Sequence, residues 1–180
     1  PLSYSVESLR DGRTYLSRRV EGFQNNQLIF HALSSHQIPD EGLSYQDTMP
    51  DVPDPEELCS YTTILKTMIA KMNKEQQSQL PPSLSKRVQI KPAIEIRPVR
   101  PSNYLIPDSQ DPERLLWLKV SDVLPKTQLL HQKLLAWISD FPLLGSALQP
   151  SGIPPISTKI KMASLDHSIW FYEPICIDEW

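Results

Sequence analysis

The feature that most constrains this chain is an apolar stretch late in the sequence. Across residues 126–148, Leu129, Leu130, Leu134, Leu135, Trp137, Ile138, Phe141, Leu144 and Leu148 would cover well over half the circumference of a helix. A helix apolar on that scale needs other elements around it. Pro142 lacks an N–H and its ring collides with the preceding turn, so it should kink the helix or end its first part. Gln149-Pro150-Ser-Gly152 with Pro154-Pro155 then stops it. The fold expected is α+β: a buried helix wrapped by antiparallel sheet, in two layers.

The strands to do the wrapping are legible. Residues 4–37 read as a meander. Tyr4-Ser-Val-Glu-Ser-Leu9 is followed by Asp11-Gly12, a hairpin dipeptide whose glycine tolerates positive φ. Asn25-Asn26 marks the second turn. In residues 27–37, Leu28, Ile29, Phe30, Ala32 and Leu33 fill both faces, which suits a central strand covered on each side. Residues 88–99 alternate through Ile90, Ile94, Ile96 and Val99, with Pro92 and Pro98 placing the strand at an edge or making it irregular. Residues 115–120 and 160–172 read as two further strands.

Between these lies a connector. The chain holds 18 prolines against 5 glycines, and four of the prolines fall in residues 39–55 with most of a run of seven acids. Such a segment is extended and exposed. Pro55, Glu56 and Glu57 should open a helix carrying Leu58, Tyr61, Leu65, Met68 and Met72 as an ordinary core stripe to about Asn73. Residues 76–85, with Pro81-Pro82, and residues 102–112 read as loops.

Charge and cysteine usage exclude several classes. A net charge of −3 argues against nucleic-acid binding, which draws on a basic excess. Residues 61–105 nevertheless hold eight bases against two acids. They form either a solvated basic surface or part of a hold on an anionic ligand. Cys59 and Cys176 are far apart and no C-x-x-C exists, so free thiols in a reducing compartment are expected, with no metal site. No apolar run of about 18 residues suggests a membrane span. There is no G-x-S-x-G elbow, G-x-G-x-x-G or Walker motif. The first residue is Pro1 rather than Met, so a processed chain or a fragment is expected.

Several stretches, in order, resemble the type II (TesB-like) acyl-CoA thioesterases. They are Val6-Glu-Ser-Leu-Arg-Asp-Gly-Arg13, Ser17-Arg-Arg-Val20, Asp47-Thr-Met-Pro50 with Pro55-Glu-Glu-Leu58, Ile94-Glu-Ile-Arg-Pro98, Ile138-Ser-Asp-Phe141, and Ser164-Leu-Asp-His-Ser-Ile-Trp-Phe171 followed by Asp178-Glu-Trp180. The resemblance implies a double hot-dog of which this chain carries part. Residues 1–37 would be the closing strands of the first hot-dog, 38–87 a linker with a helix, and 88–180 the first part of the second. Each hot-dog would be incomplete, so exposed strand edges and helix faces would favour self-association into a homo-oligomer. The implied substrate is a fatty acyl-CoA such as palmitoyl-CoA, hydrolysed to free acid and coenzyme A without a cofactor. The basic stretch would then suit a coenzyme A phosphate. The family implies a peroxisomal matrix protein if the source is eukaryotic, toward which the loop at 100–112 leans, and a cytoplasmic one if bacterial.

The same resemblance assigns a catalytic carboxylate to Asp166. It would act with a Ser or Thr and a Gln, both expected beyond Trp180, to activate water. Ser164 and Ser168 are not their matches. In a strand, Ser164, Asp166, Ser168 and Trp170 share one face, and Leu165, His167, Ile169 and Phe171 the other. Asp166 would therefore stand in a polar patch of an otherwise apolar strand. Read without the family, it is a solvent-facing aspartate. His167 would face away from it and act structurally, and His31, His36 and His131 have no nucleophile at a telling spacing. Lacking the partner groups, the chain on its own is expected to show no Asp166-dependent turnover, leaving an inactive fragment or an acyl-chain or partner-binding module as the alternative.

Overall fold

Asn25 and Asn26 adopt φ values of 51° and 61°. Both central residues of a tight hairpin turn need that left-handed conformation, which asparagine tolerates. They join two strands of a meander in a computed structural model that describes all residues except 79, 81, 102–108, 110, 141 and 154–159. The chain forms two compact units, Pro1–Met49 and Pro50–Trp180.

The first unit is one antiparallel sheet of β1 (Leu2–Asp11), β2 (Tyr15–Gln24) and β3 (Gln27–Gln37), in that spatial order. Two irregularities interrupt the ladders, between Ser8 and Arg10 and between Gly22 and Phe23. The register puts Tyr4, Val6, Val20, Gly22, Phe30 and Ala32 on one face. A Cβ on Gly22 would lie 3.2 Å from Tyr4 Cε1 and 3.3 Å from Phe30 Cβ, so two aromatic side chains cover the glycine. Arg19 lies between Glu7, at 2.6 Å, and Glu21, at 3.6 Å.

The hairpin turn expected at Asp11-Gly12 forms between β1 and β2, though by another backbone route, and the central place expected for residues 27–37 is not found among the described residues. Gly12 does not take a positive φ. It donates its N–H to the Tyr15 carbonyl at 2.9 Å, and an added Cβ would sit 2.9 Å from that same oxygen. The glycine serves a close backbone approach rather than a left-handed turn. And β3 is an edge: β2 is the central strand, and Leu28, Ile29, Phe30 and Leu33 are half or more exposed. An apolar run fits a central strand, but no fourth strand pairs with β3 among the described residues.

In the second unit the acidic connector runs irregularly to Asp54, whose carboxylate accepts the Glu56 N–H at 2.8 Å and caps a single 3-10 turn, Pro55–Glu57. The helix expected from Pro55 starts later. Ser60 accepts the Thr63 N–H at 3.1 Å and opens α1 (Tyr61–Ala70). The loop expected over 76–85 contains α2 (Lys74–Ser78) and α3 (Pro82–Arg87). Asn73 and Gln76 each accept the other's backbone N–H, at 2.8 and 3.0 Å, a reciprocal box that starts α2. Pro82 occupies the first turn of α3, where its missing N–H costs nothing.

Leu65, Leu84 and Val88 form a buried cluster with Tyr61, Ile64, Met68, Ile69 and Leu80 around it. Val88 thus belongs to this helical layer and not to a strand. The strand expected from 88 is shortened to β4 (Ile94–Pro98), paired antiparallel with β5 (Leu116–Val120). Most of the loop at 102–112 lies outside the described residues.

The long apolar helix breaks where expected, into α4 (Gln128–Asp140) and α5 (Leu143–Leu148) about Pro142. It is not buried all round. His131 and Ile138 face inward, while Leu129 is 56% and Trp137 69% exposed. Within the second unit that side of α4 is left uncovered among the described residues. Among the described residues no helix is long and apolar enough to cross a membrane.

Candidate functional site

Asp166 lies within residues 160–172, a stretch without helix, strand or turn. The strand expected there does not form. A strand exists only beside a partner that takes its N–H and C=O groups, and among the described residues none runs alongside. The polar and apolar alternation is therefore not laid onto a sheet. Asp166 itself is exposed, and it has no hydrogen bond or ion pair among the described residues.

Its neighbours are held. Ser164 Oγ donates to Asp140 Oδ1 at 2.7 Å, and His167 Nε2 lies 3.2 Å from Ser139 Oγ. Ser139 and Asp140 are the last two residues of α4. Two of the resembling stretches, far apart in sequence, thus meet around Asp166. Phe141 of the first stretch lies outside the described residues.

Three more of those stretches meet elsewhere. Arg97, in β4, donates to Glu56 Oε2 at 2.7 Å, to the Pro55 carbonyl at 2.6 Å and to Glu95 at 2.8 Å. Its guanidinium lies 4.7 Å from the Trp180 ring centre, and Lys119 Nζ 4.5 Å from it. The Trp180 indole N–H donates to Glu56 Oε1 at 2.8 Å. Glu95, Arg97, Trp117 and Lys119 share one face of the β4–β5 ladder. The indole N–H of Trp180, then Arg97, hold the Glu56 carboxyl below its ordinary range. Burial works against the Arg97 charge, but hydrogen bonds to Glu95 and Glu56 prevail and hold its pKa above the usual value.

The chain's last residues are also fastened to α4. Ile177 N–H donates to His131 Nδ1 at 3.1 Å, and His131 Nε2 lies 3.1 Å from the Pro125 carbonyl. With Nδ1 accepting the Ile177 N–H, Nε2 is the ring nitrogen that faces the Pro125 carbonyl. Gln128 both donates to the Ile175 carbonyl, at 3.1 Å, and accepts its N–H, at 2.9 Å. Asp178 accepts the Leu124 N–H at 3.0 Å, and that bond lowers its pKa against the effect of burial, with help from the Lys126 charge.

Asp166 lines neither of two clefts formed by the described residues. One, of about 560 Å³, has Arg100, Asp111, Glu113, Arg114 and Gln149 in its wall. The other, of about 330 Å³, is lined by Ser60, Thr62, Thr63, Lys66, Lys91 and Glu95 among others. Three of the eight bases in residues 61–105 have ion pairs among the described residues. Lys91 pairs with Asp122 at 2.6 Å, Arg97 with two glutamates, and Arg100 with Glu113 at 3.7 Å. Lys66 is the base of that stretch that reaches a cleft without an ion pair among the described residues. No group of three or more His, Cys, Asp or Glu is placed to hold a metal among the described residues. Cys59 and Cys176 are free and exposed.

Ser139, Asp140 and the Glu56–Arg97–Trp180 cluster were visible only as resembling stretches, with no role attached. Nothing in their spacing announces that they meet.

A family model described as acyl-CoA thioesterase matches residues 89–180. Acyl-CoA thioesterase 2 of Haemophilus influenzae is 30% identical over 180 residues, all of this chain and 60% of that protein. Human acyl-coenzyme A thioesterase 8 is 32% identical over 183 residues, again all of this chain and 56% of the relative. The chain thus spans less than two thirds of the curated relatives it matches. Among solved structures, an acyl-CoA thioesterase II, TesB2, from Mycobacterium marinum superposes with a TM-score of 0.55 at 27% identity, over 81% of this chain and 46% of the other. A tesB protein of Mycobacterium avium subspecies paratuberculosis gives 0.57 at 23% identity, over 84% and 46%, and speaks to the fold alone.

Proposed function

The chain belongs to the acyl-CoA thioesterase family, and on that premise we propose that the protein hydrolyses fatty acyl-CoA, palmitoyl-CoA among them, to free fatty acid and coenzyme A. The observation that carries this reading is the family match over 89–180, a region that contains Asp166 and both stretches that meet beside it. Asp166 is the carboxylate that takes a proton from the attacking water as it adds to the thioester carbonyl. Its exposure and its lack of a partner among the described residues leave both oxygens open to a water. A Ser or Thr and a Gln, located beyond Trp180, complete the group that orients this water. Residues 1–37 are the closing strands of one hot-dog, 38–87 a linker and 88–180 the opening part of a second. The protein self-associates through exposed sheet, and it works in the peroxisomal matrix or, for a bacterial source, the cytoplasm.

The test is turnover of palmitoyl-CoA by the full natural polypeptide. Released coenzyme A is quantified by chromatography, because Cys59 and Cys176 would themselves react with a thiol reagent. Asp166→Asn keeps the side-chain shape and removes the base, so kcat should fall about 10²–10⁴-fold. Unchanged turnover in this variant sinks the reading. A second reading is an acyl-chain-binding module without turnover. It is favoured by the exposed apolar face of β1–β3 and by the position of Asp166 outside both clefts. Saturable acyl-CoA binding with no coenzyme A release would establish it.

A further inference from the structure

Residues 160–172 carry the proposed catalytic carboxylate, yet among the described residues they make no backbone hydrogen bond to any other element. Their described anchors are two side-chain bonds that bracket Asp166: Ser164 Oγ to Asp140 Oδ1 at 2.7 Å, two residues before it, and His167 Nε2 to Ser139 Oγ at 3.2 Å, one residue after it. Both anchors end on consecutive residues at the last turn of α4. In a flat strand Ser164 and His167 would point to opposite faces. Their joint contact with one helical turn marks where the backbone departs from strand geometry, and Asp166 sits within that departure.

We propose that Asp140 and Ser139 are positioning residues for Asp166: α4 presents an acceptor and a hydroxyl that pin the chain on either side of the carboxylate and set its direction. This rests on the reading of Asp166 as the base. A hydroxyl donating to a carboxylate is the stronger of the two anchors, being charge-assisted and short. Asp140 therefore carries the larger share, and Ser139 the smaller. A general base displaced by about 1 Å loses about a hundredfold in rate, while the bulk of the substrate contacts stays as it was.

The test uses the full natural polypeptide and palmitoyl-CoA. Asp140→Ala and Ser164→Ala should each lower kcat about 10–100-fold with KM nearly unchanged. The double variant should be no worse than either single, because both remove one bond. Asp140→Asn, whose amide oxygen still accepts, and Ser164→Thr, which still donates, should restore most of the rate. Ser139→Ala should cost a few-fold (about 2- to 5-fold), as a neutral anchor would. Hydrogen exchange over residues 163–168 should quicken in Asp140→Ala while the rest of the chain is unaltered, which separates release of the segment from unfolding. If Asp166→Asn abolishes turnover but Asp140→Ala and Ser164→Ala keep the wild-type kcat, the positioning role is overturned and the base remains. If Asp166→Asn turns over normally, the base assignment falls and takes the positioning role with it. Additive losses in the double variant, or no rescue by Asp140→Asn, would also overturn it.

Discussion

Replacing His131 with leucine removes two interior hydrogen bonds at once. The imidazole is 3% exposed; it accepts the Ile177 N–H at 3.1 Å and lies 3.1 Å from the Pro125 carbonyl. Leucine fills much of the space but leaves the Ile177 N–H without a partner, while the Pro125 carbonyl keeps the Thr127 N–H at 2.7 Å. An unsatisfied buried group costs about 1–3 kcal/mol. The Ile177 N–H bears that cost, because Ile177 is 5% exposed. The expected loss is therefore about 1–3 kcal/mol, a large share of a typical domain stability of about 5–15 kcal/mol. With a urea slope of about 2 kcal/mol per molar, the midpoint should fall by about 0.5–1.5 M at an unchanged slope. Trp117, Trp137, Trp170 and Trp180 all lie in the second unit, so a fluorescence-detected urea titration reports on the unit that contains His131. Asparagine keeps an acceptor near the position of Nδ1 but cannot reach Pro125, so His131→Asn should lose about half as much. A His131→Leu midpoint within about 0.3 M of the wild type, well inside the scatter of surface substitutions, would refute the assigned bonds.

Leu65→Ala empties the centre of the α1–α3 cluster, where Leu65 is 2% exposed, and should destabilise the second unit by about 3 kcal/mol in the same titration. The Asp178 and Glu56 carboxyls are both held below their ordinary range, so their contributions are fully present above the unfolded carboxylate pKa of about 4. Those contributions are lost as pH falls through the lower folded values. Protection of the amides at residues 177–180, relative to the intrinsic exchange rate at each pH, should therefore fall below about pH 4 and stay level between pH 6 and 8; constant protection down to pH 2 would contradict it. In the first unit, Gly12→Ala forces a Cβ to 2.9 Å from a backbone oxygen and should cost more than about 1 kcal/mol by circular dichroism. Gly22→Ala meets the Tyr4 ring, which can swing away, and Phe30 Cβ at 3.3 Å, which moves only with the backbone, so it should cost less than Gly12→Ala, about 0.5–1 kcal/mol.

What the sequence determined by itself was local or carried by resemblance. Asn25-Asn26 specified a turn because asparagine tolerates left-handed backbone, and Pro142 divided the helix because it has no N–H to give. The ordered motifs placed the chain in its family. The Asn73–Gln76 box was equally local, yet the prolines at 81 and 82 made the region read as a loop, although Pro82 opens a helix. Only the tertiary structure decided the rest, because strands and interior contacts depend on partners distant in the chain. Residues 27–37 have the composition of a central strand but form an edge among the described residues, and residues 160–172 alternate like a strand but have no described neighbour to pair with. Val88 went to a helical core because Leu65 and Leu84 were there to cover it. The same dependence explains why Glu56, Arg97 and Trp180, or Asp140 and Ser164, carried no sign of their meeting. Their bonds span from 24 to 124 positions, and spacing along a chain says nothing about contacts closed over that distance.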